Sequence, residues 1–135
     1  MTKVESKIVV IKRTDEQVYS LLSSFKNLSP MAEAAKLEEW EAEDEWCRFN
    51  VKGMGRMELK MIEREPYKTI KIGGGEGIPF ELLLWIQLKQ VAPYDTRLKI
   101  TLSAEMGAMM SLMLRSKLQE GVDLIAESLA KALNI

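Results

Sequence analysis

Hydrophobic and polar positions alternate from Lys3 to Lys12, with Val4, Ser6, Ile8 and Val10 on one face and Glu5, Lys7, Val9 and Ile11 on the other. Alternation in a Val- and Ile-rich run predicts a β-strand. Thr14 and Gln17 then have the spacing of a capping box. Val18, Leu21, Leu22 and Phe25 follow at helical intervals, so a helix is expected to end near Asn27. Ser29-Pro30 puts a capping residue before a proline, which predicts a short second helix through about Ala35.

From Leu37 to Glu105 the period is that of strands and turns. Leu37 to Ala42 and Trp46 to Val51 read as a hairpin about Glu43-Asp44-Glu45, and Gly53 and Gly55 bracket the next turn. Arg56 to Glu63 alternates, with Met57, Leu59 and Met61 opposite Arg56, Glu58 and Lys60. Pro66-Tyr67 turns the chain into a strand over Thr69 to Ile72, and Gly73 to Pro79 is expected as a loop. Phe80 to Val91 and Arg97 to Glu105 predict two long strands about the turn Pro93-Tyr94-Asp95. Short turns between strands imply antiparallel pairing. From Gly107 to Leu133 the period becomes helical. Met110, Leu114, Leu118, Val122, Ile125 and Leu129 form the expected inward stripe, and Gly121 sits inside the helix at a cost of ~1 kcal/mol relative to Ala.

Composition narrows the possibilities. The 135 residues suit one domain, 47% hydrophobic and 29% charged. A net charge of -1 without a Lys/Arg block argues against nucleic-acid binding. No apolar run approaches the ~18 residues of a membrane span. The single cysteine, Cys47, excludes an intramolecular disulfide and suits a cytoplasmic location. Histidine is absent, which removes Ser-His-Asp and Cys-His catalysis and the commonest zinc ligand. No cofactor or metal site and no catalytic residue is expected.

The opening Val4-Glu5-Ser6 to Ile11 with the capped helix Thr14-Asp15-Glu16-Gln17-Val18-Tyr19, the strand ending Glu63-Arg64-Glu65-Pro66-Tyr67-Lys68-Thr69-Ile70, the segment from Pro79-Phe80 through Trp85-Ile86-Gln87-Leu88, and the last helix with Leu118-Gln119-Glu120-Gly121 together resemble the START-like superfamily. This is the polyketide cyclase or birch-pollen-allergen helix-grip fold, and the resemblance extends over the whole chain to bacterial members without an assigned activity. It implies an α+β domain spanning residues 1–135. A curved antiparallel sheet of about seven strands would grip a long C-terminal helix, with two short helices after strand one. It also implies a cavity between sheet and helix for a lipid, polyketide or other apolar molecule. Relatives include cyclases and protein-binding modules, so a fold does not fix the function.

Nine methionines are present, and Met suits adaptable apolar pockets as well as ordinary cores. With the implied cavity, Met57, Leu59, Met61, Leu84, Ile86, Met110, Met113 and Leu114 are the candidate ligand-lining residues. Arg48, Asn50 and Tyr19 are candidate polar anchors. The run Gly73-Gly74-Gly75-Glu76-Gly77 lacks the Lys and Ser/Thr of a phosphate loop and reads as a flexible connection. Glu58, Glu63, Glu81 and Glu105 could supply an acid–base pair, but strand parity turns Glu58 and Glu81 toward solvent. Leu83 and Trp85, with Trp40 as a further contributor, offer an outer apolar patch for a homodimer or partner. The expected function is binding of a small apolar molecule. The alternative is a protein-interaction module, and a cyclase-type enzyme is the third reading.

Overall fold

The computed structural model describes residues 2–34, 37–51, 55–78 and 80–134. The expectations placed on Ala35, Gly53 and Pro79 lie outside these residues. In chain order the elements are β1 (Thr2–Glu5), β2 (Val9–Ile11), α1 (Asp15–Leu22), a 3-10 turn (Phe25–Leu28), α2 (Ser29–Ala34), β3 (Glu38–Ala42), β4 (Trp46–Val51), β5 (Gly55–Glu65), β6 (Thr69–Gly74), β7 (Glu81–Ala92), β8 (Asp95–Glu105) and α3 (Ala108–Leu133). The strands form one antiparallel sheet in the order β1-β8-β7-β6-β5-β4-β3, with β2 prolonging β1 along β8. This is the α+β arrangement that the hydrophobic pattern and the helix-grip resemblance imply.

The first strand differs from its expected form. It breaks at Ser6, and the register moves from Glu5↔Thr101 to Val9↔Leu98, one residue out of step. Ser6 Oγ accepts the Ile100 N–H at 2.9 Å, so a side chain satisfies a ladder donor at the break. A one-residue bulge flips every later side chain to the other face. Val4 and Ile11 are therefore both buried, whereas Ile8 and Val10 are exposed.

The capping box at Thr14 forms as expected. Thr14 Oγ accepts the Gln17 N–H at 3.1 Å, and Gln17 Oε1 accepts the Thr14 N–H at 3.0 Å. Val18 and Leu22 of α1 then pack into the core with Ile70, Ile100, Leu98, Val122 and Leu129. Each such side chain stabilises the fold by roughly 1.5–3 kcal/mol when fully buried.

Helix α3 runs beside the free edge of β1 and β2 and caps it with polar side chains. Gln119 donates to the Glu5 carbonyl at 2.6 Å. Asp123 accepts the Lys7 N–H at 2.8 Å. Asn134 accepts from Lys12 N–H at 2.6 Å and donates to the Val10 carbonyl at 2.9 Å. Edge groups that would otherwise invite another strand are thereby occupied.

Burial along α3 changes at its middle. Its buried residues are Val122, Ala126, Leu129 and Leu133, all after Gly121. The expected stripe placed Met110 inward, and the structure turns it out, 44% exposed. The cause is angular drift. Steps of four residues overshoot the 3.6-residue turn by about 40° each, so Met110 lies about 120° from Val122. A Cβ built on Gly121 would meet nothing within 4 Å. Gly121→Ala is therefore expected to stabilise the protein by ~1 kcal/mol, since only the backbone freedom of glycine is lost. A thermal midpoint raised by roughly 3–5 °C is the expected reading, and a lowered one would mean that the helix needs glycine there.

Candidate functional site

The concave face of the sheet is closed at one end and open at the other. Reading across the register, Ile100, Ile86 and Ile70 form a row under α1 and the second half of α3. Their exposure is 0 to 4%. The next row, Leu102, Leu84, Ile72 and Met61, is also buried. One row further, Ala104, Leu82, Gly74 and Leu59 stand side by side. There Leu82 and Leu59 are only half-buried and Gly74 is exposed. Met57, Phe80 and Met106, beyond this row, are half-buried as well. Leu114 and Leu118 of α3 are half-buried too, on the half of the helix that buries nothing. An apolar wall with incomplete cover thus lies at the end of the sheet where α3 begins.

The eight predicted lining residues divide three ways. Met57, Leu59 and Leu114 are half-buried, in or beside this wall. Met61, Leu84 and Ile86 are buried behind it, 9%, 8% and 4% exposed, within the packed core. Met110 and Met113 face outward, so their inward placement is corrected; Met113 is 69% exposed and lies about half a turn from Val122. The sequence reading missed Gly74, Phe80, Leu82, Met106 and Leu118. The parity of β7 already placed Leu82 on the inner face. Gly74 falls in the run from Gly73 to Pro79, whose glycines carry the signature of a loop. It is in fact the last residue of β6, and a Cβ there would press on Leu82 and Ile78 at 3.2 and 3.1 Å. Four surface depressions, of about 250 to 570 Å³, lie elsewhere, and none is lined by any of the eight.

The candidate anchors are not inside. Arg48 lies on the outer face, its guanidinium 4.5 Å from the Trp46 ring centre and its Nε 2.7 Å from Glu58 Oε2. Asn50 shares the β4 parity of Arg48. Tyr19 packs edge-on against Tyr67, whose ring centre is 5.6 Å away. Trp40 does not join Trp85. It stacks on Phe49 and donates to Ser29 Oγ at 2.9 Å, beside the core.

Glu58 corrects another expectation. It points away from Met61 as parity requires, yet it is 4% exposed. The reason is the loop after β6, which folds back as an extra strand-like cover. Gly75 N–H donates to the Glu58 carbonyl at 2.8 Å, and Glu58 N–H donates to the Glu76 carbonyl at 3.0 Å. The glycine run thus ends β6 and then lies close over β5. The Arg48 hydrogen bond holds the Glu58 carboxyl below the usual carboxylate range, helped by Lys60 at 3.4 Å and opposed by burial. Glu81 and Glu105 face each other across β7 and β8, and they and Glu63 are exposed. No two of the four carboxylates meet in the apolar wall. Cys47 is 1% exposed, and burial pushes its thiol up to about 12, which keeps it un-ionised and unreactive.

On the outer face Leu83 and Trp85 are half-buried, with Lys71 Nζ 5.8 Å from the Trp85 ring centre. A bulge between Met61 and Glu63 brings Ile62, 49% exposed, over Gly73 next to Leu83. Among the described residues no group of three or more Cys, Asp or Glu is placed to hold a metal ion, and no helix is long and apolar enough to cross a membrane.

No family model and no curated protein matches the chain. Solved structures do. A START superfamily protein from Mycobacterium smegmatis is 16% identical with a TM-score of 0.72, covering 98% of this chain and 97% of that one. A protein from Thermobifida fusca is 12% identical with a TM-score of 0.74, covering 98% and 93%. The Aha1 dimer from Colwellia psychrerythraea is 21% identical with a TM-score of 0.66, covering 100% and 98%. The chain has the START-like helix-grip fold.

Proposed function

We propose that this domain, residues 1–135, binds a small apolar molecule between the concave sheet and the first half of α3. The observation that carries the reading is the graded exposure of the concave face. Rows packed under α1 and the second half of α3 are closed, and the row Leu82–Gly74–Leu59 is open although its side chains are apolar. A ligand seated there would remove that surface from water, at about 25 cal/mol per Å² of apolar area. The polar pair beside the wall, Thr2 and Ser111, is spent on its own hydrogen bond, so the reading assigns recognition to shape and hydrophobicity, with no catalytic residue. The START-like fold of the solved neighbours supports it. A cytoplasmic setting is part of the proposal, supported by the lone unpaired thiol of Cys47.

The test is titration with an apolar fluorescent probe. Wild type is expected to bind it, and Met57→Trp, which fills the open end from β5, is expected to weaken binding about tenfold, or 1.4 kcal/mol. A probe that binds both proteins alike, or neither, would refute the site.

A second reading, assembly through Leu83 and Trp85, is favoured by one observation: the bulge at Ile62 extends that outer patch across Gly73. The Colwellia psychrerythraea neighbour is described as a dimer.

A further inference from the structure

The first two turns of α3 carry large apolar side chains that are exposed and take no part in the core. Leu112 is 84% exposed, Met109 77%, Met113 69% and Met110 44%. By the 100° step per residue they span about 160° of the helix circumference, one continuous face. Isolated exposed apolar residues are ordinary, but four on two turns form a patch. One turn further along stand Arg115 and Lys117, both exposed, and among the described residues neither has an ion-pair or hydrogen-bond partner. Lys117 is four residues from Met113, and Arg115 three from Leu112, so the cations flank the patch. Glu120 is the one acid on the exposed surface of residues 108–120. Glu81 and Glu105 share the strand parity of Leu83 and Ser103, which leaves the face away from α3.

We infer that the first two turns of α3 are a docking tip for an anionic lipid surface. Apolar side chains would enter the interface, and Arg115 and Lys117 would reach back to the phosphate level. This is how amphipathic helices hold to bilayers, with long cationic side chains keeping their charge in the headgroup layer. A second copy of this chain is a poorer occupant. Four side chains fall far short of the roughly 20–30 residues per side of a stable interface. The inference stands without the proposed ligand site, since the tip faces outward whether or not the wall is filled.

Co-flotation of the full chain with phosphatidylcholine vesicles, with and without phosphatidylglycerol, tests it. Wild type is expected to float with the phosphatidylglycerol vesicles, less so at high salt. The double variant Leu112→Glu/Met113→Glu is expected to stay in solution with an unchanged circular dichroism melt, since both side chains are already exposed. Arg115→Glu/Lys117→Glu is expected to bind about thirtyfold more weakly, from ~1 kcal/mol per cation near the surface. Absence of wild type from both vesicle fractions overturns the inference, as does flotation unaffected by Leu112→Glu/Met113→Glu. So does a dimer by light scattering that this double variant abolishes while vesicles capture nothing. Loss of probe binding in the ligand test leaves flotation unchanged, so the two readings fail separately.

Discussion

Gly77→Ala is expected to destabilise the protein by roughly 2–5 kcal/mol, and Gly55→Ala by only ~1 kcal/mol. Both glycines have positive φ, +91° at Gly55 and +86° at Gly77. A side chain in that region strains the backbone at either site. The difference is space. A Cβ on Gly55 meets nothing within 4 Å, whereas one on Gly77 would lie 2.0 Å from the Arg56 carbonyl oxygen and 3.3 Å from the Met57 Cα. That neighbour is backbone and cannot rotate away. Either β5 moves, or the loop lifts and gives up the two hydrogen bonds that join Glu58 to Gly75 and Glu76. Urea unfolding of the two variants side by side measures this. Equal midpoints would mean that the loop does not press on β5, and with it the account of why Glu58 is buried would fall.

Such close approaches explain what could be read from the sequence. Local period sufficed where one face of an element meets one environment. The inner sets of β7 and β8, the capping box at Thr14 and the extent of α3 were all legible. It failed where a single residue changes the phase. Ser6 fits a strand on either face, so nothing marked the bulge that exchanges Ile8 and Val10 for Val9 and Ile11. On α3, apolar residues every four positions suggested a straight stripe. The helix turns faster than that spacing, and Met110 and Met113 drifted to the outside. Burial of Glu58 was illegible for a different reason. It depends on a loop some 17 residues away returning over β5, a contact with no trace in the alternation of β5 itself. The signal available was glycine. Gly75 and Gly77 mark places where backbone must come close, and a Cβ on Gly75 would collide with the Glu58 carboxylate.

The open wall and the exposed tip share a cause in the same helix. The second half of α3 is fixed by Val122, Ala126, Leu129 and Leu133 and by the edge bonds of Asp123 and Asn134. Its first half is tied through Thr2–Ser111, 2.5 Å between hydroxyl oxygens, and Gln119. A helix whose apolar packing is confined to one half leaves both its own outer turns and the sheet beneath them short of apolar partners. The apolar residues of both are therefore the ones to examine for function.

The acid limb of the stability curve is expected to depend on Glu58. Its folded pKa lies below the ordinary value of 4.5, chiefly because Arg48 donates to it. The charged form is thus favoured by folding. The stabilisation is present above the unfolded pKa and is lost as pH falls below it and through the folded one, in the acid range under about pH 4.5. Glu58→Gln cannot be protonated, so its urea midpoint is expected to be lower than wild type at neutral pH and to fall less over that range. Some slope persists, since Asp95 beside Arg97 and Asp123 on the Lys7 N–H are also held low. Arg48→Met removes the main donor, which raises the folded pKa of Glu58 and moves the loss of stability to higher pH. Parallel curves for wild type and Glu58→Gln would show that the carboxylate is as well solvated folded as unfolded. The pair would then be a surface contact of little consequence. Convergence of the two curves in acid would make Arg48 and Glu58 a lock between β4, β5 and the glycine loop.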